Sequence, residues 1–178
     1  MNVMKRLTLA ALIACAGAAH AAAPAPAPAA TRSAAPSQAH VQAAYNLLAA
    51  MQAEKMMRMT AGASRYPTEA ARLAVMDKLL KVPPATIYQK LALPLAKLVS
   101  EETALEMTKM YSSPYGKRLL HDTYNSGPSM YGPVTEASKA ERAELARPAL
   151  VKAGKALKEA EEPLRHEMFV LLQEINRK

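Results

Sequence analysis

The segment from Pro84 to Leu120, PATIYQKLALPLAKLVSEETALEMTKMYSSPYGKRLL, decides the fold. Its apolar residues recur at intervals of three and four, as they do on one face of an α-helix. Ser100 precedes two glutamates and Ser113 precedes Pro114, and serine at such a position is typical of a helix N-cap. We therefore predict three consecutive helices in this segment, with a kink at Pro94 in the first of them.

The rest of the chain beyond residue 38 has the same character. Ala, Leu, Met, Lys and Glu dominate, and these residues favour helices. No alternating strand pattern and no Asn-Gly or Asp-Gly hairpin signal occurs. A first helix is predicted from Ser37 to Gly62, and a last helix from Leu164 to Asn176, with Pro163 dividing it from the region before. The sequence thus predicts an all-α fold, an irregular bundle of about five to seven helices.

The N-terminus has the features of a secretory signal. Lys5 and Arg6 precede an apolar run over residues 7–14, and Ala19-His20-Ala21 fits the small-x-small rule for cleavage. The run is shorter than the roughly 20 residues of a membrane-spanning helix. We predict a signal peptide over residues 1–21, a protein of the periplasm or the exterior, and no transmembrane span after signal removal.

The one cysteine offers a second interpretation of the same region. The sequence ending in Cys15, Leu-Ile-Ala-Cys, resembles a bacterial lipobox, in which Cys15 would be lipidated and would anchor the protein to a membrane. Only eight residues separate Arg6 from Cys15, which favours plain cleavage after Ala21. Either outcome leaves no cysteine for a disulfide, so the fold must depend on its core.

Residues 22–38 contain alternating Ala and Pro, which can continue neither a helix nor a sheet ladder. We predict a disordered, extended linker over residues 22–38 and one helical domain over residues 39–178. The chain carries a formal net charge of +8, with a pI near 9.6. This charge favours an anionic surface or an envelope protein as partner, whereas export argues against nucleic acid.

The segment around the second predicted cap resembles a known family. Residues 111–116, Tyr-Ser-Ser-Pro-Tyr-Gly, follow Ser-Glu-Glu at 100–102 and precede the Leu pair at 119–120, with Ile-Tyr at 87–88 upstream. This arrangement over residues 87–120 resembles the exported bacterial helical proteins catalogued as domain of unknown function 2059. The resemblance implies a helical fold and an exported protein, and it supplies no catalytic residues.

Two departures from the family pattern matter. Lys109-Met110 stand where an aliphatic-aromatic pair is more usual, and the region after Ser126 has no clear family pattern. The packing of that later region is not predicted from the sequence.

The motif has a structural interpretation and a functional one. Structurally, Tyr111, Ser113, Pro114 and Gly116 form a tight turn: Ser113 caps a helix, and Gly116 lets another helix or the Tyr111 ring approach closely. Functionally, the start of that helix could bind an anion. The donors of such a site would be Ser112, Ser113, Lys117 and Arg118.

Other candidate groups give weak signals for metal or acid–base chemistry. Thioethers bind Cu(I), and four methionines cluster on one predicted helix downstream of His40. They are Met51, Met56, Met57 and Met59. Methionine is also a common core residue, so we predict no metal and no cofactor. Glu162 and His166 share a helix face, which is typical of an exposed histidine with an acidic neighbour.

No nucleophile motif, phosphate loop or dinucleotide fingerprint occurs, and we predict no catalytic residues. His121 and Asp122 are adjacent on a helix and are expected to diverge. The sequence favours a non-enzymatic, exported envelope protein that acts as a binding or interaction module. Two alternatives stay open: a helical enzyme acting on a cell-wall or lipid substrate, and a carrier of a metal or a small apolar ligand.

Overall fold

A computed structural model describes residues 35–125 and 135–177 of the chain. The predicted signal peptide, Cys15 and nearly all of the predicted linker lie outside the described residues, as does most of the loop after Ser126. Within the described ranges, no helix is both long enough and apolar enough to cross a membrane.

The described residues are all-helical and contain no strand, which confirms the predicted fold class. The helices are α1 (Gln38–Ala50), α2 (Ala53–Ala63), α3 (Glu69–Leu80), α4 (Pro84–Leu98), α5 (Glu101–Ser112), α6 (Pro114–Asn125), α7 (Lys139–Leu145) and α8 (Pro148–Arg177). The caps at Ser37, Ser100 and Ser113 are where the sequence predicts them, because each serine hydroxyl accepts from a backbone N–H three residues later. Pro94 lies inside α4.

The first predicted helix is in fact two helices. The chain breaks at Gln52, whose backbone is left-handed with φ 56° and ψ 52°. The hydroxyl of Tyr124 donates to the Met51 carbonyl oxygen at 2.7 Å, so a carbonyl released by the break is hydrogen-bonded by α6. The prediction of one helix from Ser37 to Gly62 was wrong. The break depends on a hydrogen bond from Tyr124, which is 73 residues from Met51, so no local sequence pattern indicates it.

The last helix is longer than predicted. α8 runs for 30 residues through Pro163, which lies on its exposed side. A proline inside a helix costs about 3 kcal/mol. However, buried side chains continue on both sides of it, at Leu157, Ala160, Leu164 and Met168. Each large apolar side chain contributes about 1.5–3 kcal/mol on burial, so together they outweigh the defect and keep the helix continuous.

The core lies between α1, α4, α5 and α8. Its fully buried side chains include Leu47 and Leu48 of α1, Leu95 of α4 and Leu164 of α8. α1 packs along α4 and α5, and α8 lies across α2, α4 and α5. The result is a helical bundle in which α6 packs on α5, and α2 packs on α3, α4 and α8.

Candidate ligand-binding cavity

A cavity of about 760 Å³ lies between α2, α5, α6 and α8. Small-molecule sites in proteins typically measure about 300–1,000 Å³ and are mostly apolar. The apolar part of the wall consists of Met51, Met56, Met59, Ala63, Met107, Leu119, Leu120, Leu157, Leu164 and Met168, with the rings of Tyr111 and Tyr124. Its size and lining make this cavity the main candidate for a functional site.

Five methionines give the cavity an adaptable wall. Met51, Met56 and Met59 come from the α1–α2 region, and α5 and α8 add Met107 and Met168. The unbranched thioether side chain fills irregular space and adjusts to different apolar surfaces, as it does in promiscuous binding grooves. Such a wall can accept apolar molecules of more than one shape.

In the sequence, Met51, Met56 and Met59 cluster with Met57 downstream of His40. In the structure, Met57 and His40 do not line the cavity. Met57 is fully buried in the core and does not line the cavity. The Nε2 atom of His40 lies 2.8 Å from the Val99 carbonyl oxygen, so the ring links the start of α1 to the end of α4. The cavity methionines therefore come from the α1–α2 break, α2, α5 and α8 rather than from one helix.

Four hydroxyl groups line the cavity without making it polar, because each one donates to a backbone carbonyl. The pairs are Thr60 with Met56 at 3.0 Å, Ser64 with Thr60 at 2.8 Å, Thr123 with Leu119 at 2.7 Å and Tyr124 with Met51 at 2.7 Å. A hydroxyl carries one donor hydrogen. These four groups therefore have no proton left to donate to a ligand.

The hydroxyl of Tyr111 differs from these four hydroxyls in its hydrogen bonding. Its ring packs against the core and lines the cavity, and its hydroxyl makes no hydrogen bond with any residue that the structure describes. Burial raises the pKa of the Tyr111 phenol, and the Glu161 carboxylate raises this pKa further. The phenol thus keeps its proton at neutral pH and offers one donor.

Charged residues of α8 mark one edge of the cavity. Gly154, Lys158, Glu161 and Arg165 follow at intervals of four, three and four, so they share one helix face. The three charged residues are exposed, and Arg165 lies 3.3 Å from Glu161 and 3.2 Å from Glu162. A Cβ on Gly154 would have no atom within 4 Å, which leaves the wall open at this point.

The turn between α5 and α6 places two walls of the cavity. The Ser113 hydroxyl accepts from the Gly116 N–H at 3.0 Å and donates to the Met110 carbonyl at 2.6 Å. The predicted close approach at Gly116 is present, but it comes from the backbone of Met110 and Tyr111 rather than from the Tyr111 ring. By fixing α6 against the end of α5, the turn sets Tyr111 beside the α6 wall.

Two of the four donors of the predicted anion site, Ser113 and Arg118, are used in other contacts. Ser113 forms the cap just described, and Arg118 donates to both carboxylate oxygens of Glu141, at 3.1 and 2.9 Å. Lys117 and Arg118 do line a separate polar depression with His121 and Asp122. Ser112 is exposed and lies outside that depression. The anion site stays a prediction that these contacts do not support.

The remaining candidate pairs lie on the surface. Against expectation, His121 Nδ1 comes within 3.4 Å of Asp122 Oδ1, because both side chains bend toward each other at the exposed end of α6. The Thr135 hydroxyl donates to Asp122 at 2.6 Å, and this bond, with His121, lowers the pKa of Asp122. Glu162 and His166 are both exposed, and Glu162 pairs with Arg165.

No family model, curated protein or solved structure matches this sequence. The resemblance of residues 87–120 to domain of unknown function 2059 therefore stays a prediction. The cavity was not predicted from the sequence, although the eleven methionines of the chain were one available signal. The lining residues Met107, Gly154 and Met168 lie on helices that no local pattern connects to α2.

Proposed function

We propose that this protein is a non-enzymatic binding protein that carries one small apolar molecule in the methionine-lined cavity. The observation that carries the proposal is the cavity itself: about 760 Å³ bounded by four helices with a mainly apolar wall. Transfer of an apolar molecule from water into such a space is favourable, by roughly 25 cal/mol for each Å² removed from water. The methionines would let the wall adjust to the molecule.

The hydroxyl contacts support binding over catalysis. A hydroxyl nucleophile needs a neighbouring base to take its proton. Thr60, Ser64, Thr123 and Tyr124 donate instead to backbone carbonyls, which cannot act as bases. A carrier function requires only the apolar wall and a way to orient the molecule.

We further propose that the carrier works outside the cytoplasm, in the bacterial envelope, as a relative of domain of unknown function 2059. The signal-like N-terminus and the residues at 87–120 support this location and this relationship. The net charge of +8 supports contact with an anionic membrane surface, where an apolar cargo could be exchanged.

The experiment is a titration of the purified, delipidated protein with N-phenyl-1-naphthylamine, a neutral apolar dye that fluoresces in apolar surroundings. The wild type should bind the dye at a saturable site. Gly154→Leu should weaken binding by about tenfold or more, because a side chain added there enters the open cavity and a loss of about 1.4 kcal/mol of contact is sufficient.

The matched control is Gly62→Leu. Gly62 is also helical and has open space for a side chain, but it does not line the cavity. Both variants should melt at or above the wild-type temperature, since leucine favours a helix over glycine. Absence of saturable dye binding by the wild type, or equal loss in both variants, would overturn the proposal.

A further inference from the structure

The wall of the methionine-lined cavity carries a net positive charge. Among the residues that the structure describes, its charged side chains are Lys158, Glu161 and Arg165, all on α8. Arg165 and Glu161 offset each other, because a guanidinium nitrogen lies 3.3 Å from a carboxylate oxygen. Lys158 is exposed and forms no ion pair with a described residue. The wall therefore keeps one uncompensated ammonium group.

The order of charges along α8 explains why Lys158 has no partner on its own helix. Glu161 and Glu162 follow Lys158 by three and four residues, the intervals at which side chains on a helix surface meet. Both carboxylates lie close to Arg165 instead, at 3.3 and 3.2 Å. An acid before a base is the more favourable order on a helix, and the planar guanidinium presents several donors to a carboxylate. The Lys158 ammonium is thus left for another anion.

Lys158 lies beside the open part of the cavity wall. Gly154 is one helical turn before it on the same face, and a Cβ there would have no atom within 4 Å. The neighbouring Leu157 is buried and lines the cavity. Lysine commonly packs its methylene chain on apolar surface while its ammonium stays in water. A molecule with one charged end could therefore bury its apolar chain in the cavity and keep its charge at the edge, where desolvation costs little.

Resting on the proposed carrier function, we propose that the cargo is an amphiphile with one apolar chain and one negative charge, such as a fatty acid, and that Lys158 binds this charge. The hydrocarbon chain lies against the methionine wall, and the carboxylate pairs with the Lys158 ammonium. A cationic amphiphile would be repelled at the same point. The net charge of +8 adds a long-range attraction for an anion.

The test compares three molecules with the same apolar chain, decanoate, decanol and decylamine, as competitors of bound N-phenyl-1-naphthylamine at neutral pH. The readout for each protein is the ratio of its decanoate affinity to its decanol affinity, so any effect of a substitution on the dye or on the apolar chain cancels. Lys158→Gln should lower this ratio by about two- to fivefold, the range for an exposed ion pair. Lys158→Glu should lower it further and should raise the ratio of decylamine to decanol, because repulsion replaces attraction.

The matched control is Lys97→Glu. Lys97, in the last turn of α4, is also exposed and forms no ion pair with a described residue, but it does not line the cavity. The substitution changes the net charge as Lys158→Glu does, and it should leave both ratios unchanged. Since both lysines are on the surface, both variants should melt near the wild-type temperature.

The outcomes separate the two proposals. If the wild type does not bind the dye at a saturable site, the carrier function fails, and the assignment of Lys158 fails with it. If the dye binds but Lys158→Glu has the wild-type ratios, the anionic cargo is wrong while the carrier function stands. An equal change of the ratios in Lys97→Glu would assign the effect to overall charge and would also overturn the role of Lys158.

Discussion

The carbonyl oxygen of Met110 lies where a side chain on Gly116 would have to be, 2.1 Å from the position of an ideal Cβ. The Cα and carbonyl carbon of Tyr111 are also within 3 Å of that position, at 2.6 and 2.8 Å. Because all three are backbone atoms, no side-chain movement can make room. This contact fixes α6 against the end of α5, and so it fixes the two helices that carry Tyr111 and Tyr124.

Gly116→Ala should therefore destabilise the protein strongly. Overpacking typically costs 1–3 kcal/mol, and we expect about 3 kcal/mol here because backbone has to move. The change in the free energy of unfolding is measured by equilibrium unfolding in urea. Gly62→Ala is the control: its Cβ meets open space, so it should stabilise α2 by about 0.5–1 kcal/mol. A Gly116→Ala protein as stable as the wild type would contradict the close approach.

The ion pair between Glu106 and Arg147 should make stability depend on pH. Arg147 Nη2 lies 2.7 Å from Glu106 Oε2, linking α5 to the turn before α8, and the Glu106 side chain is only 14% exposed. Arg147, and next Lys109, lower the pKa of Glu106 below its ordinary value of 4.5. Protonation is thus less favourable in the folded state than in the unfolded state, and the contribution is present above pH 4.5 and lost as the pH falls through the lowered pKa.

Glu106→Gln tests this pair. The wild type should be more stable than the variant at pH 7, and the difference should shrink steadily below pH 4.5 in urea unfolding experiments. Glu69→Gln is the matched control, because the Glu69–Arg72 pair is largely exposed and should contribute little. A difference that stays constant from pH 7 to pH 3 would show that the charge of Glu106 is not involved.

The break between α1 and α2 carries backbone strain that glycine should relieve. Gln52 is the one described non-glycine residue with positive φ, and its Oε1 atom is buried without a hydrogen-bond partner among the described residues. Left-handed backbone costs roughly 1–2 kcal/mol for a residue with a Cβ. Gln52→Gly should therefore be more stable than Gln52→Ala by about 1 kcal/mol, measured by urea unfolding. The reverse order, with alanine the more stable, would mean that α1 and α2 form one continuous helix.

Local chemistry explains which parts of this fold the sequence could predict. The caps at Ser100 and Ser113 were predictable because each involves a hydroxyl and a backbone N–H three residues away. The break at Gln52 was not, since no glycine or proline marks it and the Met51 carbonyl is bonded by Tyr124, 73 residues along the chain. The continuity of α8 through Pro163 likewise depends on burial against other helices.

The candidate site was less predictable than the fold. Tyr111 belongs to a motif that the sequence does single out, but its place in the cavity wall depends on the packing of four helices. The methionines on α2 were visible as a group, and their partners Met107 and Met168 were not, because only tertiary packing brings α5 and α8 to the same space. A cavity is a property of the spaces between helices, and the apolar periodicity of one helix does not encode it.

Methionine methyl NMR directly tests whether an apolar molecule occupies the methionine-lined cavity. Protein labelled at the methionine methyl groups is titrated with methyl decanoate, and signals are assigned from single Met→Leu variants. Signals of the five cavity methionines, Met51, Met56, Met59, Met107 and Met168, should shift and saturate together. Met57 in the core and Met76 on α3, which lie outside the cavity wall, should shift little. Unchanged spectra, or shifts of Met57 and Met76 as large as those of the five, would mean that the molecule does not occupy this cavity.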